Sequence, residues 1–137
     1  MLENVNVIAI IIATIVSMAI GAGWYGSLAK PWMEAARFTE AERAEVNKGG
    51  SPVIYVIAAI THLIMAYILS GVIYHAGGFS IFTGVLSAFL IWAGFVLTTM
   101  TVNHRFQMKP WSLTAIDSGH YLLVMLAQGA ILGWFGI

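Results

Sequence analysis

Four long apolar runs, separated by short polar segments, make up most of the chain. Each run reaches the length of about 20 residues that an α-helix needs to cross the hydrocarbon core of a bilayer. The pattern predicts spanning helices at residues 5–27, 52–74, 79–102 and 112–135. The first run has no basic segment before it, so we interpret it as a retained helix rather than a signal peptide.

Composition supports this interpretation. Of the 137 residues, 60% are hydrophobic and 9% are charged, whereas a soluble domain carries about 25% charged residues. We expect an all-α, polytopic membrane protein in which residues 1–137 form one four-helix transmembrane domain in the lipid bilayer. The formal net charge of zero provides no general attraction for nucleic acid. The absence of cysteine excludes disulfides and thiolate chemistry.

The cations lie in alternate polar segments. All six lysines and arginines fall between the first and second predicted helices or between the third and fourth, namely Lys30, Arg37, Arg43, Lys48, Arg105 and Lys109. Four spans place both of these segments on one side of the membrane. By the positive-inside rule that side is the cytoplasm, and we expect both termini to lie outside.

The tripeptide Lys-Pro-Trp occurs in both basic segments, at residues 30–32 and 109–111. Lysine and tryptophan favour the membrane–water interface, and proline suits the first turn of a helix. Each copy therefore predicts a bend at the membrane surface followed by the start of a helix. The expected interface anchors are Trp24, Lys30, Trp32, Lys109 and Trp111.

Residues 31–48 have the composition of a soluble segment. Pro31 predicts the start of a short helix, and Thr39 with Glu42 matches the T-x-x-E pattern of a capping box for a second helix. The two glycines at 49–50 are typical of a helix end. We expect a cytoplasmic helical connector that lies on the membrane surface.

The chain also contains a weak internal similarity. His62 precedes Gly71 by nine residues, and His120 precedes Gly129 by the same spacing. Together with the repeated Lys-Pro-Trp, this spacing indicates two helix hairpins of the same orientation, related by an axis along the membrane normal. The alternative is a chance likeness between two apolar stretches of limited composition.

Aspartate and histidine occur at three positions inside the predicted spans, His62, Asp117 and His120, all in the half of the membrane nearer the basic segments. Such residues are costly in lipid and usually face the interior of a bundle. The pattern predicts a pocket for a ligand or a proton, formed by these three side chains with Asn103 and Tyr25 at its mouth.

A purely structural interpretation of the same residues is open. Asp117 lies near a helix start, where the helix dipole favours a carboxylate, and it can pair with His120 or Arg105. His62 can link two helices by a hydrogen bond, as polar residues in membrane interiors do. In that case the protein is a ligand-free scaffold or assembly factor.

A pocket of this kind fits two functions. Histidine beside a carboxylate changes charge near neutral pH, which suits the binding or transport of a small polar solute or a proton. Metal binding is the alternative: His62 and His120 could ligate a haem iron, or His62 or His104 could join Asp117 and His120 around a divalent ion. No cofactor is assigned. We do not expect an enzyme, because Ser118 and its neighbours point apart on one helix.

Small residues spaced four apart occur on two spans, as Ala22-x-x-x-Gly26 and Gly129-x-x-x-Gly133. Such faces permit close contact between helices in a membrane. We expect a homo-oligomer in which the Gly129/Gly133 face lies at the interface or against a neighbouring helix of the same chain.

Three stretches resemble a known family: GAGWYGSLAKPWM at the end of the first span, NHRF at the end of the third, and IDSGHYLL in the fourth. They are similar to the small bacterial membrane proteins called domain of unknown function 1761, over nearly the whole chain. The resemblance implies a four-helix protein of the bacterial inner membrane and assigns no reaction, substrate or cofactor. The positions that match the family pattern are Trp24, Tyr25, Trp32, Asn103, Asp117, Gly119 and His120.

Overall fold

The computed structural model describes residues 5–136, and within that range the chain is helical and has no strands. The helices in chain order are α1 (Val7–Ser27), α2 (Ala29–Ala36), α3 (Glu40–Asn47), α4 (Pro52–His75), α5 (Ile81–Ile91), a π-helical segment (Trp92–Leu97), α6 (Thr98–Phe106) and α7 (Trp111–Phe135). The segments α5, π and α6 run on as one continuous helix.

Among residues 5–136, four helices are long and apolar enough to cross a membrane: Val7–Ser27, Pro52–His75, Ile81–Phe106 and Trp111–Phe135. The four predicted spans are therefore confirmed, and the third span ends at Phe106 rather than at residue 102. The chain is an all-α, multi-pass membrane protein.

The outer faces of the bundle are apolar. Residues 53–57 of α4 are all exposed and all hydrophobic, and the exposed fractions of Phe82, Phe95 and Trp134 are 76%, 71% and 73%. Soluble monomeric proteins rarely expose contiguous apolar surface on this scale. These faces therefore lie against lipid.

Local capping explains where several helices begin. The Asn6 side chain accepts a hydrogen bond from the backbone N–H of Ala9 at 3.0 Å at the start of α1. Ser51 caps α4, with Pro52 as its first residue. The capping box predicted for α3 is confirmed: the Thr39 hydroxyl accepts from the Glu42 N–H, while the Glu42 carboxylate accepts from the Thr39 N–H at 2.7 Å. That bond favours the ionised form and lowers the pKa of Glu42.

The two Lys-Pro-Trp copies adopt different structures. In the first, only Leu28 separates α1 from α2, and Pro31 lies in the first turn of α2. In the second, Met108 has a left-handed backbone (φ 54°) and Pro110 is the N-cap of α7. Lys109 Nζ then donates to the carbonyl of Ala36 at 2.6 Å, which ties the end of α2 to the start of α7.

Helix α7 occupies the centre of the bundle and packs against α1, α4 and α5. Both α1 and α5 contact α4 as well as α7. This is the arrangement expected if α1–α4 and α5–α7 are two hairpins of the same orientation around a common axis. The internal repeat stays a prediction, with which the packing agrees.

A close contact between helices joins α5 to α7 and depends on glycine. A Cβ atom at Gly84 would overlap the carbonyl of Gly129, and one at Gly133 would overlap the carbonyl of Ser80. The Gly129/Gly133 face therefore packs against a neighbouring helix of the same chain, the second of its two expected positions. Ala22 and Gly26 of the other small-residue face are exposed on α1.

This contact leads to a stability prediction. We expect Gly84→Ala to lower the free energy of unfolding by about 1–3 kcal/mol, the usual cost of overpacking a close contact. The matched control is Gly23→Ala on α1, where an added methyl group meets no atom within 4 Å. That change should be neutral or stabilising by up to about 1 kcal/mol, since alanine is the better helix former. Thermal unfolding in detergent measures both, and equal melting temperatures for the two variants would contradict the packing.

Candidate functional site

Two buried histidines face each other in the centre of the bundle. His62 of α4 and His120 of α7 are each 5% exposed, and their ring centroids are 6.1 Å apart. Both nitrogens of both rings are buried, and none has a hydrogen-bond partner in the described part of the chain. A buried polar group without a partner costs about 1–3 kcal/mol. We call these residues the histidine pair.

The surroundings of the histidine pair are aromatic on two sides and small on a third. The ring of Tyr25 lies 5.0 Å from that of His120, and the ring of Tyr121 lies 4.8 Å from it. Gly21 of α1 faces Nε2 of His120, where a Cβ atom would approach to 3.3 Å. A side chain at position 21 would therefore press on this nitrogen.

Asp117 lies one helical turn from the histidine pair, toward the start of α7. The Tyr25 hydroxyl donates to Oδ1 of Asp117 at 2.7 Å, and Nε2 of His104 lies 3.7 Å from Oδ2. The pairings considered from the sequence, with Arg105 or with His120, are not the ones formed: Arg105 donates to Thr114, and both His120 nitrogens are without a partner.

Thr114 contacts His104, the histidine that lies near Asp117. Its hydroxyl oxygen accepts from Nη2 of Arg105 at 2.9 Å and lies 2.9 Å from Nδ1 of His104. The donor in the second contact depends on the His104 tautomer. When the Thr114 hydroxyl donates to Nδ1, the neutral ring carries its proton on Nε2, the nitrogen that faces Asp117. We call Tyr25, His104, Thr114 and Asp117 the helix-end cluster.

Two tryptophans hold the same part of α7 from opposite sides. Nε1 of Trp24 donates to the carbonyl of Ile116 at 2.9 Å, and Nε1 of Trp92 donates to the carbonyl of Ser118 at 2.8 Å. Gly119 makes room for the first, since a Cβ atom there would lie 3.0 Å from the Trp24 ring. Trp24, expected as an interface anchor, is therefore also bound into the bundle.

The connector covers the helix-end cluster. Trp32 of α2 lies edge-on to Tyr25 with ring centroids 4.9 Å apart, and Phe38 packs on Trp32 at 5.1 Å. Ala35 and Ala36 are buried against Leu113 of α7. Helix α2 thus packs on the end of the bundle through Trp32, which was expected to anchor the chain at the membrane surface.

The other predicted residues lie further out. Asn103 is exposed, and among the described residues its neighbour His104 is the one that reaches Asp117. Lys30 is exposed, and so is Trp111, over whose ring the Arg105 guanidinium stacks at 3.8 Å. Of the predicted pocket residues, the structure brings together Tyr25, His62, Asp117 and His120.

The polar interior continues beyond the histidine pair with a buried amide, Gln128, which was not among the predicted site residues. Gln128 is fully buried on α7, and its Nε2 donates to the Ser17 hydroxyl at 2.9 Å and to the His62 carbonyl at 3.1 Å. Its Oε1 is buried without a partner among residues 5–136. The sequence did contain a signal for this residue, since Gln128 is an amide within an otherwise apolar run.

The metal-ligating side chains do not converge on one point. Across the described chain, no three or more histidine, aspartate or glutamate side chains lie close enough to share an ion. His62 and His120 form one group, while Asp117 and His104 belong to the helix-end cluster. The divalent site considered from the sequence would therefore need these groups to move.

A groove of about 540 Å³ opens on the outer side of the bundle between α1 and α7. Its lining is almost entirely apolar: Ile20, Gly23, Trp24, Ser27, Leu28 and Leu123. Neither His62 nor His120 lines the groove, so it does not open onto the histidine pair.

Comparison with known proteins identifies one family. The family model described as "Protein of unknown function (DUF1761)" matches residues 8–133. No curated protein and no solved structure matches the chain.

Proposed function

Since the chain belongs to the DUF1761 family, whose description assigns no reaction, we propose from the geometry that it binds protons at the histidine pair and exchanges them through the helix-end cluster. The observation that carries this proposal is the histidine pair itself. Its four ring nitrogens are buried and unpartnered, so the folded protein keeps free proton-binding sites inside the membrane.

The path to the pair is a series of neighbouring titratable groups. His104 is 13% exposed and Asp117 is 20% exposed, so both can exchange protons at the end of the bundle. Asp117 is hydrogen-bonded to Tyr25, whose ring lies 5.0 Å from that of His120. His62 follows at 6.1 Å between ring centroids. Rotation of the imidazole of His120 would complete the transfer from Tyr25.

The packing favours a proton over a larger solute. Successive side chains along the path are in contact or nearly so, and a proton needs no cavity between them. Histidine is the side chain that changes charge most readily near neutral pH. Intramembrane histidine and aspartate that face a bundle interior are typical of proton relays.

The direction of exchange follows from the cations. Both polar segments that carry lysine and arginine lie at the end of the bundle where the helix-end cluster lies. The positive-inside rule places this end in the cytoplasm of a bacterial cell, with both termini outside. We propose that the histidine pair exchanges protons with the cytoplasm.

The amount of bound proton tests the proposal. After a jump to acidic pH, the purified protein should take up more protons than a His62→Gln/His120→Gln double variant, because glutamine cannot be protonated in this range. A pH-indicator dye in weakly buffered detergent solution measures the difference. The control is His75→Gln, which removes an exposed histidine at the opposite end of α4.

The double variant should take up fewer protons than the wild type, and this deficit should exceed the deficit of His75→Gln. Size-exclusion profiles would establish that all variants are folded. Equal uptake by the wild-type protein and the double variant would mean that the histidine pair holds no exchangeable proton, and the proposal would then be wrong.

A further inference from the structure

The separation of the two rings in the histidine pair would fit a single small metal ion between them. Imidazole nitrogens bind metal ions at about 2.0–2.1 Å, so two rings on opposite sides of one ion have centroids roughly 6.4 Å apart, and slightly less when the angle at the ion is bent. The observed separation is 6.1 Å. All four nitrogens are unpartnered, so each ring can offer one without breaking a hydrogen bond.

The ligand set selects the kind of ion. Zinc prefers four ligands in proteins, and calcium and magnesium take six or more, whereas no third histidine, aspartate or glutamate joins the pair within residues 5–136. The neighbouring carboxylate of Asp117 is engaged by Tyr25. Two neutral imidazoles on opposite sides suit a soft monovalent ion such as Cu(I), which accepts two ligands in line.

Burial favours the same choice. The energy needed to take an ion out of water scales with the square of its charge, so a monovalent ion costs about a quarter as much as a divalent ion of the same size. The rings of Tyr25 and Tyr121 lie beside His120, so a bound ion would have aromatic neighbours, and aromatic rings attract a cation that lies over their faces. Glycine at position 21 leaves Nε2 of His120 free of a neighbouring side chain.

We propose that His62 and His120 together bind one soft monovalent metal ion, Cu(I) or its analogue Ag(I), between their rings. This inference rests on the proposed function only in requiring the same free nitrogens. Since a metal ion and a proton compete for imidazole nitrogens, metal binding should release protons from the pair at acidic pH.

The test uses Ag(I), which air does not oxidise and which is added without a reductant, and separately Cu(I) kept reduced by ascorbate. We expect the purified protein to bind one ion per chain, with X-ray absorption reporting two nitrogen neighbours. His62→Gln and His120→Gln should each weaken binding by about 100-fold or more, because changes to groups behind a ligand alone cost about 10–100-fold. Gly21→Ala should weaken binding without removing a ligand, and His75→Gln should leave it unchanged.

Absence of Ag(I) and Cu(I) binding to the wild-type protein, or equal binding by the wild type and both single variants, would overturn the metal site. Failure of the metal site can be distinguished from failure of the proposed function. If no metal binds but the His62→Gln/His120→Gln variant takes up fewer protons than the wild type, the pair binds protons and not metal. Loss of proton uptake and of metal binding in the same folded variants is the outcome expected when both proposals hold.

Discussion

Replacing His62 with leucine should leave the bundle at least as stable as the natural protein. Both nitrogens of His62 are buried without a partner, and a buried polar group in that state costs about 1–3 kcal/mol. Leucine removes this cost and retains an apolar side chain among the packed helices. We expect the free energy of unfolding to rise by about 1–2 kcal/mol, less the cost of fitting the branched and slightly larger leucine side chain.

Gln128→Leu provides the matched comparison, since Gln128 is buried on the same bundle axis but donates two hydrogen bonds, to Ser17 and to the His62 carbonyl. Its replacement should stabilise the protein less than His62→Leu does, because the gain from removing the unpartnered Oε1 is offset by the loss of both hydrogen bonds. Thermal and denaturant unfolding in one detergent would compare the two variants. If His62→Leu proves more destabilising than Gln128→Leu, His62 is a structural link between helices, as in the alternative interpretation of the sequence.

The spans and their caps could be predicted from sequence because they depend on local properties. Apolar runs of membrane length indicate helices whatever their neighbours are, and the Thr39–Glu42 capping box closes within one turn. The depth of the ionisable side chains follows from counting residues along each helix. These features required no knowledge of how the helices are arranged.

The partners of Asp117 depend on that arrangement. Spacing along α7 places Asp117 and His120 near each other, yet the carboxylate bonds to Tyr25 of α1 and lies near His104 of α6. The rotation of α1 and α6 against α7 decides this choice, and a single sequence contains no direct signal for it. For the same reason the sequence favoured Asn103 over its neighbour His104.

The hydrogen bonds from Trp24 and Trp92 to α7 were not predicted, for a related reason. Trp92 begins the π-helical segment, and its indole reaches the Ser118 carbonyl. A π-helical segment widens one turn of a helix and re-aims the side chains on it, and such segments frequently occur at functional sites. The run around Trp92 has an ordinary apolar composition, so its local geometry could not be read from residue types.

His62 and His120, which lie close together in the structure, occupy matching positions in the weak internal similarity of the sequence. Each precedes a glycine by nine residues, Gly71 on α4 and Gly129 on α7. Related positions on two hairpins of the same orientation approach each other when they face the common axis. The predicted repeat, if it is present, would explain why two helices contribute the same side chain to the same point.

Protons should reach the histidine pair through the helix-end cluster, and the rate of proton uptake in Asp117→Asn tests this route most directly. Asparagine retains the shape of the side chain and can still bond to Tyr25, but it does not exchange a proton in the physiological range. A positioned acid–base group accelerates proton transfer by about 100-fold or more. The matched control is Glu34→Gln, which makes the same chemical change on the exposed face of α2.

Stopped-flow acid jumps with an indicator dye would record the slow phase that is missing in the His62→Gln/His120→Gln variant. We predict that Asp117→Asn slows this phase by about 100-fold while its amplitude is unchanged, and that Glu34→Gln affects neither. A wild-type rate in Asp117→Asn would contradict the account, because the histidine pair would then exchange its protons by a route that does not pass through the helix-end cluster.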